Sequence, residues 1–156
     1  MKIRLLFVGK TNLPDVESGI ARYVERIRRY APVTVRTVRA EKIGKKANED
    51  LVRLKESERL LAAVEARSHL VVWDEHGRLM TSEAFAAFLG DLEKRAVPET
   101  CMAVGGPLGF ASTVRERAND VLSLSRMTFP HDLARLLVTE QIYRAFTILK
   151  GEPYHK

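Results

Sequence analysis

A glycine-rich segment, Gly105-Gly-Pro-Leu-Gly109, follows a short apolar run and is the first candidate for chemistry. Glycines directly after a strand allow a ligand to approach the backbone closely. The spacing matches neither the dinucleotide-binding fingerprint nor a P-loop, and no Lys or Arg lies between Gly105 and Ser112. The segment therefore favours a neutral or zwitterionic ligand over a pyrophosphate. A tight turn without a ligand is the alternative.

A second segment, Leu122-Ser-Leu-Ser-Arg-Met-Thr-Phe-Pro130, leaves a predicted strand and enters a loop. Its backbone groups and its Ser and Thr hydroxyls are the donors and acceptors needed to read the edge of a nucleobase. His131 follows directly, and it is interpreted either as a capping or packing residue or as a base. An ordinary loop closed by Pro130 fits the same residues.

Further polar groups gather towards the C-terminus. The predicted last helix carries Arg135, Glu140, Gln141 and Arg144. A solvated helix face is the ordinary interpretation of such residues. The tail Tyr154-His-Lys156 combines an aromatic ring, an imidazole and a cation, which suits contact with RNA. A frayed terminus is the usual state of such a tail.

The remaining candidates for chemistry are weak. The four histidines lack ligand spacing with Cys101 or with carboxylates, so no metal site is predicted. No Ser-His-Asp set or nucleophile elbow is present. A single cysteine excludes an internal disulfide framework.

Length and composition predict one domain over residues 1–156, since the chain is 46% hydrophobic and 29% charged. No apolar run approaches the length of a membrane span, and residues 1–9 resemble a buried strand more than a signal peptide. A cytoplasmic location without membrane contact is therefore expected. The net charge of +6 suits a polyanion such as nucleic acid, or merely a basic surface.

Short apolar runs alternate with amphipathic stretches. Strands are predicted at residues 3–8, 33–36, 70–73, 101–104 and 121–125. Helices are predicted at 14–30, after Asn48, after Ser82, at 112–119 and at 131–149, with Asn48 and Ser82 as N-caps and Gly151 as a stop. The helix after Asn48 is expected to turn Leu51, Leu54, Leu61 and Val64 inward.

This alternation predicts an α/β fold with a mostly parallel sheet and helices on both faces. Ligands of such sheets bind outside the carboxyl ends of the strands. The loops at 9–12, 74–78, 105–110 and 126–132 are therefore the expected site. The last helix has a broad apolar set, which favours burial against the sheet on one side and a partner chain on the other.

Four ordered motifs closely resemble the RlmH family of SPOUT-class methyltransferases. They are Val104-Gly-Gly-Pro-Leu-Gly109, Leu122-Ser-Leu-Ser-Arg-Met-Thr-Phe-Pro-His131, Thr139-Glu-Gln-Ile-Tyr-Arg-Ala-Phe146 and Gly151-Glu-Pro-Tyr-His-Lys156. Each motif is unspecific alone, but the ordered set spans the whole chain. The resemblance implies methyl transfer from S-adenosylmethionine, without a metal, to N3 of a pseudouridine in large-subunit (23S) ribosomal RNA on assembled ribosomes.

The same resemblance implies a homodimer of SPOUT type with a C-terminal trefoil knot, in which S-adenosylmethionine binds between three loops. The matching positions are Trp73, Gly105, Leu124, Ser125, Arg126, Met127, Thr128 and Phe129. Two residues depart from the family pattern. Trp73 stands where a smaller aliphatic residue is usual, and Asp132 stands where an amide or Glu is common.

For catalysis, Arg144 is expected to orient an RNA phosphate or a base carbonyl, and Glu140 to orient Arg144. His131, Tyr154 or His155 is expected near the departing N3 proton. Two other functions remain open: a knotted methyltransferase acting on transfer RNA, and a non-catalytic basic factor in ribosome assembly.

Overall fold

Strands and helices alternate along the chain in the computed structural model, which describes all 156 residues. The strands are β1 (Lys2–Val8), β2 (Val33–Val38), β3 (His69–Leu79), β4 (Glu99–Val104) and β5 (Asp120–Ser123). The helices are α1 (Pro14–Ile27), α2 (Glu49–Ala62), α3 (Ser82–Lys94), α4 (Ser112–Arg117) and α5 (His131–Leu149). All strands pair in parallel, in the order β2-β1-β4-β3-β5. The predicted α/β fold class is confirmed.

Helices cover both faces of this sheet, as expected. Side chains along β1 alternate between the two cores: Leu5 and Phe7 pack beneath α1, α3 and α5, whereas Leu6 and Val8 pack beneath α2 and α4. Burial on both faces explains why Leu5, Leu6, Phe7 and Val8 of β1 are consecutive apolar residues rather than alternating with polar ones. None of the helices has the length and apolar character that crossing a membrane requires.

The helix starts follow local capping chemistry. Asn48 caps α2 as predicted, because its side chain accepts the Leu51 N–H at 3.1 Å. At α3 the predicted cap was wrong by one residue: Thr81 accepts the Ala84 N–H at 3.1 Å. Ser82 lies inside the helix instead and donates to Gln141 of α5 at 2.7 Å.

The inner face of α2 differs from the prediction. Leu51 and Leu54 are exposed by 46% and 40%, and Leu61 and Val64 are only half-buried. The buried residues are Val52, Glu56, Ser57 and Leu60. Glu56 and Ser57 on this face bind neighbouring loops, so the buried face of α2 has only a weak apolar periodicity. The spacing of the leucines therefore predicted the wrong face as the buried one.

Strand β3 runs six residues beyond its predicted end. Its register on β5 shifts, so that Trp73 and Arg78 both pair with Leu122. Gly77 lies between them, and a Cβ there would stand 2.5 Å from the carbonyl carbon of Leu122. Only glycine allows the two backbones to pass this closely.

The trefoil knot stays a prediction.

Helix α5 begins and ends at the predicted residues, but Arg135 is not solvated as expected. It is fully buried. Its guanidinium donates to the Val8 carbonyl at the end of β1 and, at 3.1 Å, to the Thr11 hydroxyl. The Phe7 ring lies 5.1 Å from it. A single cation thus fixes the first turns of α5 over the end of the interior strand β1.

Asp132 completes this attachment. Its Oδ2 accepts the N–H groups of Asn12 at 2.9 Å and Leu13 at 3.3 Å, and its Oδ1 lies 3.4 Å from Arg135. The carboxylate therefore binds the loop before α1 and balances the buried guanidinium.

Arg135→Met should lower the free energy of unfolding by about 3–5 kcal/mol, because it leaves a buried carboxylate and carbonyl uncompensated. Urea denaturation followed by circular dichroism measures this. Arg22→Met, on the exposed face of α1, is the control and should change stability by less than about 0.5 kcal/mol. Equal stability of the two variants would contradict a structural role for the buried cation.

Candidate active site

An open depression of about 410 Å³ lies at the carboxyl ends of β3, β4 and β5. Its walls are residues 73–76, 104–110, 123–125 and 127–129, together with Arg53, Arg115, His131 and Ala134. This is where ligands bind in open α/β sheets. Three of the four predicted loops meet there.

Seven of the eight expected donor-binding residues line the depression: Trp73, Gly105, Leu124, Ser125, Met127, Thr128 and Phe129. Arg126 does not. Its guanidinium turns back and donates to the carbonyls of Glu75 and Gly77, each at 3.3 Å. Arg126 therefore holds one wall against another instead of facing a ligand.

The glycine segment is held from outside by α2. Gly109, at φ 71°, donates its N–H to Gly106 at 3.0 Å and closes the turn. Arg53 donates to the Leu108 carbonyl at 2.9 Å, and Ser57 accepts the Ala111 N–H at 2.9 Å. The sequence analysis missed both α2 residues, since nothing in their spacing shows that α2 faces this loop.

Glu56 lies between the same glycine segment and the basic loop at 42–46. One carboxylate oxygen accepts the Glu41 N–H at 2.9 Å. The other is buried without a partner, and a Cβ on Gly106 would stand 3.2 Å from it. Glu56 thus connects the glycine segment to the backbone just before the basic loop, and it too was missed from the sequence.

Charges on the wall of the depression are paired. Arg115 binds Asp74 at 2.7 Å, and Arg53 binds Asp50 at 2.7 Å. Glu75 accepts the Thr128 hydroxyl at 2.8 Å. Because each arginine already has a carboxylate, the wall offers no free cation for a polyphosphate. The geometry suits a neutral or zwitterionic ligand, as the glycine segment indicated.

Trp73 offers a hydrogen-bond donor within this wall. Its indole Nε1 is buried and has no partner, and its ring meets Phe85 edge-on at 5.3 Å. The ring also borders a second cavity of about 240 Å³ towards α3. A buried N–H without a hydrogen-bond partner lowers stability.

His131 is the expected catalytic residue that lines the depression. Its Nε2 lies 3.2 Å from Asp132 Oδ1. Burial lowers the pKa of His131 below its ordinary 6.5, and the nearby Arg135 lowers it further, against the opposing charges of Asp132 and Glu56. The imidazole is therefore neutral at pH 7 and able to accept a proton.

The other three expected catalytic residues meet elsewhere, on the C-terminal half of α5. Arg144 binds Glu140 through Nη2 at 2.7 Å and Nε at 3.0 Å, so Glu140 orients it as expected. Tyr154 donates to the same carboxylate at 3.0 Å, and His155 Nδ1 lies 3.3 Å from Arg144. None of the three lines the depression.

The C-terminal tail is docked rather than frayed. His155 Nε2 lies 2.7 Å from Glu83 at the start of α3, and the Tyr154 ring packs edge-on against Tyr143 at 4.8 Å. Burial, then hydrogen bonds with Tyr23 and Glu140, raise the pKa of Tyr154. Its hydroxyl is therefore protonated at neutral pH and can donate.

Comparison with known proteins places the chain in a family. The family model described as "Predicted SPOUT methyltransferase" matches residues 1–155. A protein of Syntrophobacter fumaroxidans named "Ribosomal RNA large subunit methyltransferase H" is 52% identical, covering 100% of both chains. Proteins of the same name from Geobacter metallireducens and Bacillus pumilus are 47% and 38% identical, covering 99% and 100% of both chains.

A more distant likeness is to the crystal structure of the SpoU methyltransferase AviRb from Streptomyces viridochromogenes in complex with the cofactor AdoMet. It is 16% identical and has a TM-score of 0.47, over 90% of this chain and 56% of that one. This likeness is too weak to support an argument. The full-length family match and the identity to the three relatives are decisive, and the chain belongs to the SPOUT methyltransferase family.

Proposed function

We propose that this protein transfers a methyl group from S-adenosylmethionine to large-subunit ribosomal RNA, at N3 of a pseudouridine on the assembled ribosome. The full-length family match and the relatives' name support ribosomal RNA methylation. The observation that carries the proposal is the depression at the carboxyl ends of β3, β4 and β5, lined by seven of the eight expected donor-binding residues. Such an activity belongs in the cytoplasm.

The depression fits the donor by chemistry and charge. Trp73 borders the depression, the two loops beside it present backbone groups, and the arginines on the wall are neutralised by carboxylates. When bound, S-adenosylmethionine supplies a methyl group already activated by a sulfonium charge. The work left to the chain is to align the acceptor nitrogen with that methyl group and to help remove its proton.

His131 is the residue best placed for the proton. It lines the depression, and its lowered pKa keeps the imidazole neutral at pH 7. Tyr154 and His155 lie with Arg144 outside the depression of the same protomer, where they can hold RNA or complete a site in a partner subunit.

The proposed homodimer has support in the apolar residues at the start of α5. Leu133 and Leu137 are 39% and 38% exposed, and Leu13, bound through its N–H to Asp132, is 51% exposed. These side chains lie at the same end of α1 and α5 as the depression. A dimer formed through them would bury an apolar surface beside the site.

Gly105→Trp should abolish donor binding, because a Cβ at this position already meets the Phe110 ring at 3.2 Å and an indole would fill the depression. Calorimetric titration with S-adenosylmethionine measures binding, and transfer of a labelled methyl group to ribosomes measures activity. Gly44→Trp, in a loop where a Cβ would meet no atom within 4 Å, is the control for folding and should keep donor binding.

The acceptor is identified in the same assay by offering intact ribosomes, naked large-subunit RNA and transfer RNA in parallel. Methylation of ribosomes at N3 of a pseudouridine is expected. Methylation of transfer RNA instead would overturn the proposed substrate, and donor binding without transfer to any of the three would indicate a non-catalytic factor.

Turnover should fall as the pH drops through the lowered pKa of His131, below 6.5, because the protonated imidazole cannot accept a proton. His131→Gln should lower kcat by about 10²–10⁴-fold and remove this acidic limb. The comparison variant, Tyr154→Phe with His155→Gln, should lower turnover. It should keep the fall in turnover at acidic pH and the affinity for the donor. An unchanged pH profile in His131→Gln would exclude it as the proton acceptor.

The protein should sediment at twice its chain mass of 17.6 kDa. Leu133→Glu with Leu137→Glu should give the monomer, because charged side chains oppose burial of this surface. Leu54→Glu, an equally exposed leucine on α2, is the control and should stay dimeric. A wild-type protein that sediments as a monomer at micromolar concentration would contradict the proposed homodimer.

A further inference from the structure

A group of arginines lies on the outer surface of α1, apart from the depression. Arg22 and Arg26 are one helical turn apart, and Arg29 follows in the turn after the helix. An open concavity of about 510 Å³ is lined only by these three residues with Glu25 and Arg28. We name Arg22, Arg26 and Arg29 the arginine strip.

The arginines of the strip have no carboxylate partners, in contrast to Arg53 and Arg115 at the depression. Arg28 binds Glu25 at 2.5 Å, whereas Arg22, Arg26 and Arg29 make no ion pair within 4.0 Å. Three neighbouring cations without a counter-charge repel one another, so this surface gains most from a bound anion. Several anionic groups in a row would satisfy it better than one.

Aromatic rings continue the strip towards the C-terminal tail. The Arg26 guanidinium lies 5.7 Å from the Tyr23 ring centre and 5.5 Å from that of Tyr143. Tyr143 packs on Tyr154, and Arg144 lies 4.8 Å from the Tyr154 ring. Guanidinium and aromatic groups therefore alternate from α1 to the residues that were expected to hold RNA.

We propose that the arginine strip binds the phosphate backbone of the acceptor RNA, at nucleotides outside the one that is methylated. The inference rests on the proposed function and extends it to a second, non-catalytic contact surface. Guanidinium groups match phosphate oxygens in pairs, and contact with the Tyr23 and Tyr143 rings restricts the Arg26 side chain before RNA binds. Since the strip does not line the depression, it contributes to RNA affinity and not to donor binding.

The test replaces the three arginines together by glutamine and measures RNA affinity over a series of salt concentrations. Each lost phosphate contact should reduce the slope of log Kd against log salt by about 0.7–0.9, so the slope should fall by about 2 to 3. Kd for large-subunit ribosomal RNA and KM for ribosomes should rise at least about tenfold at low salt. Donor affinity and kcat at saturating ribosomes should stay unchanged.

Two matched variants separate the strip from net charge and from misfolding. Glutamine at Arg67, Lys94 and Arg95, exposed residues outside the strip, removes the same three charges and should leave the slope within about 0.5 of wild type. Lysine at the three strip positions keeps the charge and should retain the slope. Circular dichroism and urea midpoints should agree among all three variants.

An unchanged slope and Kd in the strip variant, or an equal loss in the Arg67, Lys94 and Arg95 control, would overturn the proposal. The proposal would also be overturned if the strip contributed to affinity for ribosomes but not to affinity for naked RNA. That result would indicate that the strip binds a ribosomal protein. The proposed function is judged separately by methyl transfer from the wild-type protein. Strip-dependent RNA binding without methyl transfer would leave the strip standing and refute the enzymatic activity.

Discussion

The buried guanidinium of Arg135 joins the start of α5 to the end of the interior strand β1. Arg135 donates hydrogen bonds to the Val8 carbonyl and to Thr11, and Asp132 balances its charge. These contacts fix the position of α5 after the loop at 124–130. His131 precedes Asp132 directly, so the same contacts set its position at the depression. Burial and the Arg135 charge lower the pKa of His131, and the Asp132 charge opposes them. One internal ion pair thus serves both the packing of α5 and the chemistry proposed for its first residue.

Charge is distributed in two different ways across the molecule. Around the depression every arginine is bound to a carboxylate or a carbonyl, so the wall is close to neutral. In the arginine strip the guanidinium groups lie near tyrosine rings or are exposed, without ion-paired carboxylates. A small zwitterion and a long polyanion need opposite electrostatic surroundings, and separating the two surfaces lets one small domain offer both.

The elements of the fold were predictable where local chemistry decides them. The apolar run of β1, the Asn48 cap and the ends of α5 all follow from neighbouring residues. Prediction was wrong where a distant segment decides: Arg135 is buried because β1 ends beneath it, and α2 turns Glu56 and Ser57 inward because two loops bind them. The same reason explains the site. Its loops were predictable because parallel strands end at one edge, whereas Arg53 and Arg115 reach it from helices.

The close packing of Gly77 against the Leu122 backbone limits how the wall of the depression formed by β3 can move. Trp73 and Arg78 flank the wall at 74–77, and both are paired with β5, so this wall cannot swing outward without breaking hydrogen bonds of the sheet edge. The free energy needed to open this wall therefore includes that of separating β5 from β3. Movement at the rim is therefore left to the neighbouring loop at 124–130, which belongs to no strand or helix and in which Met127 is 73% exposed. Exchange of small molecules then depends on a short loop, while the sheet keeps its geometry through each turnover.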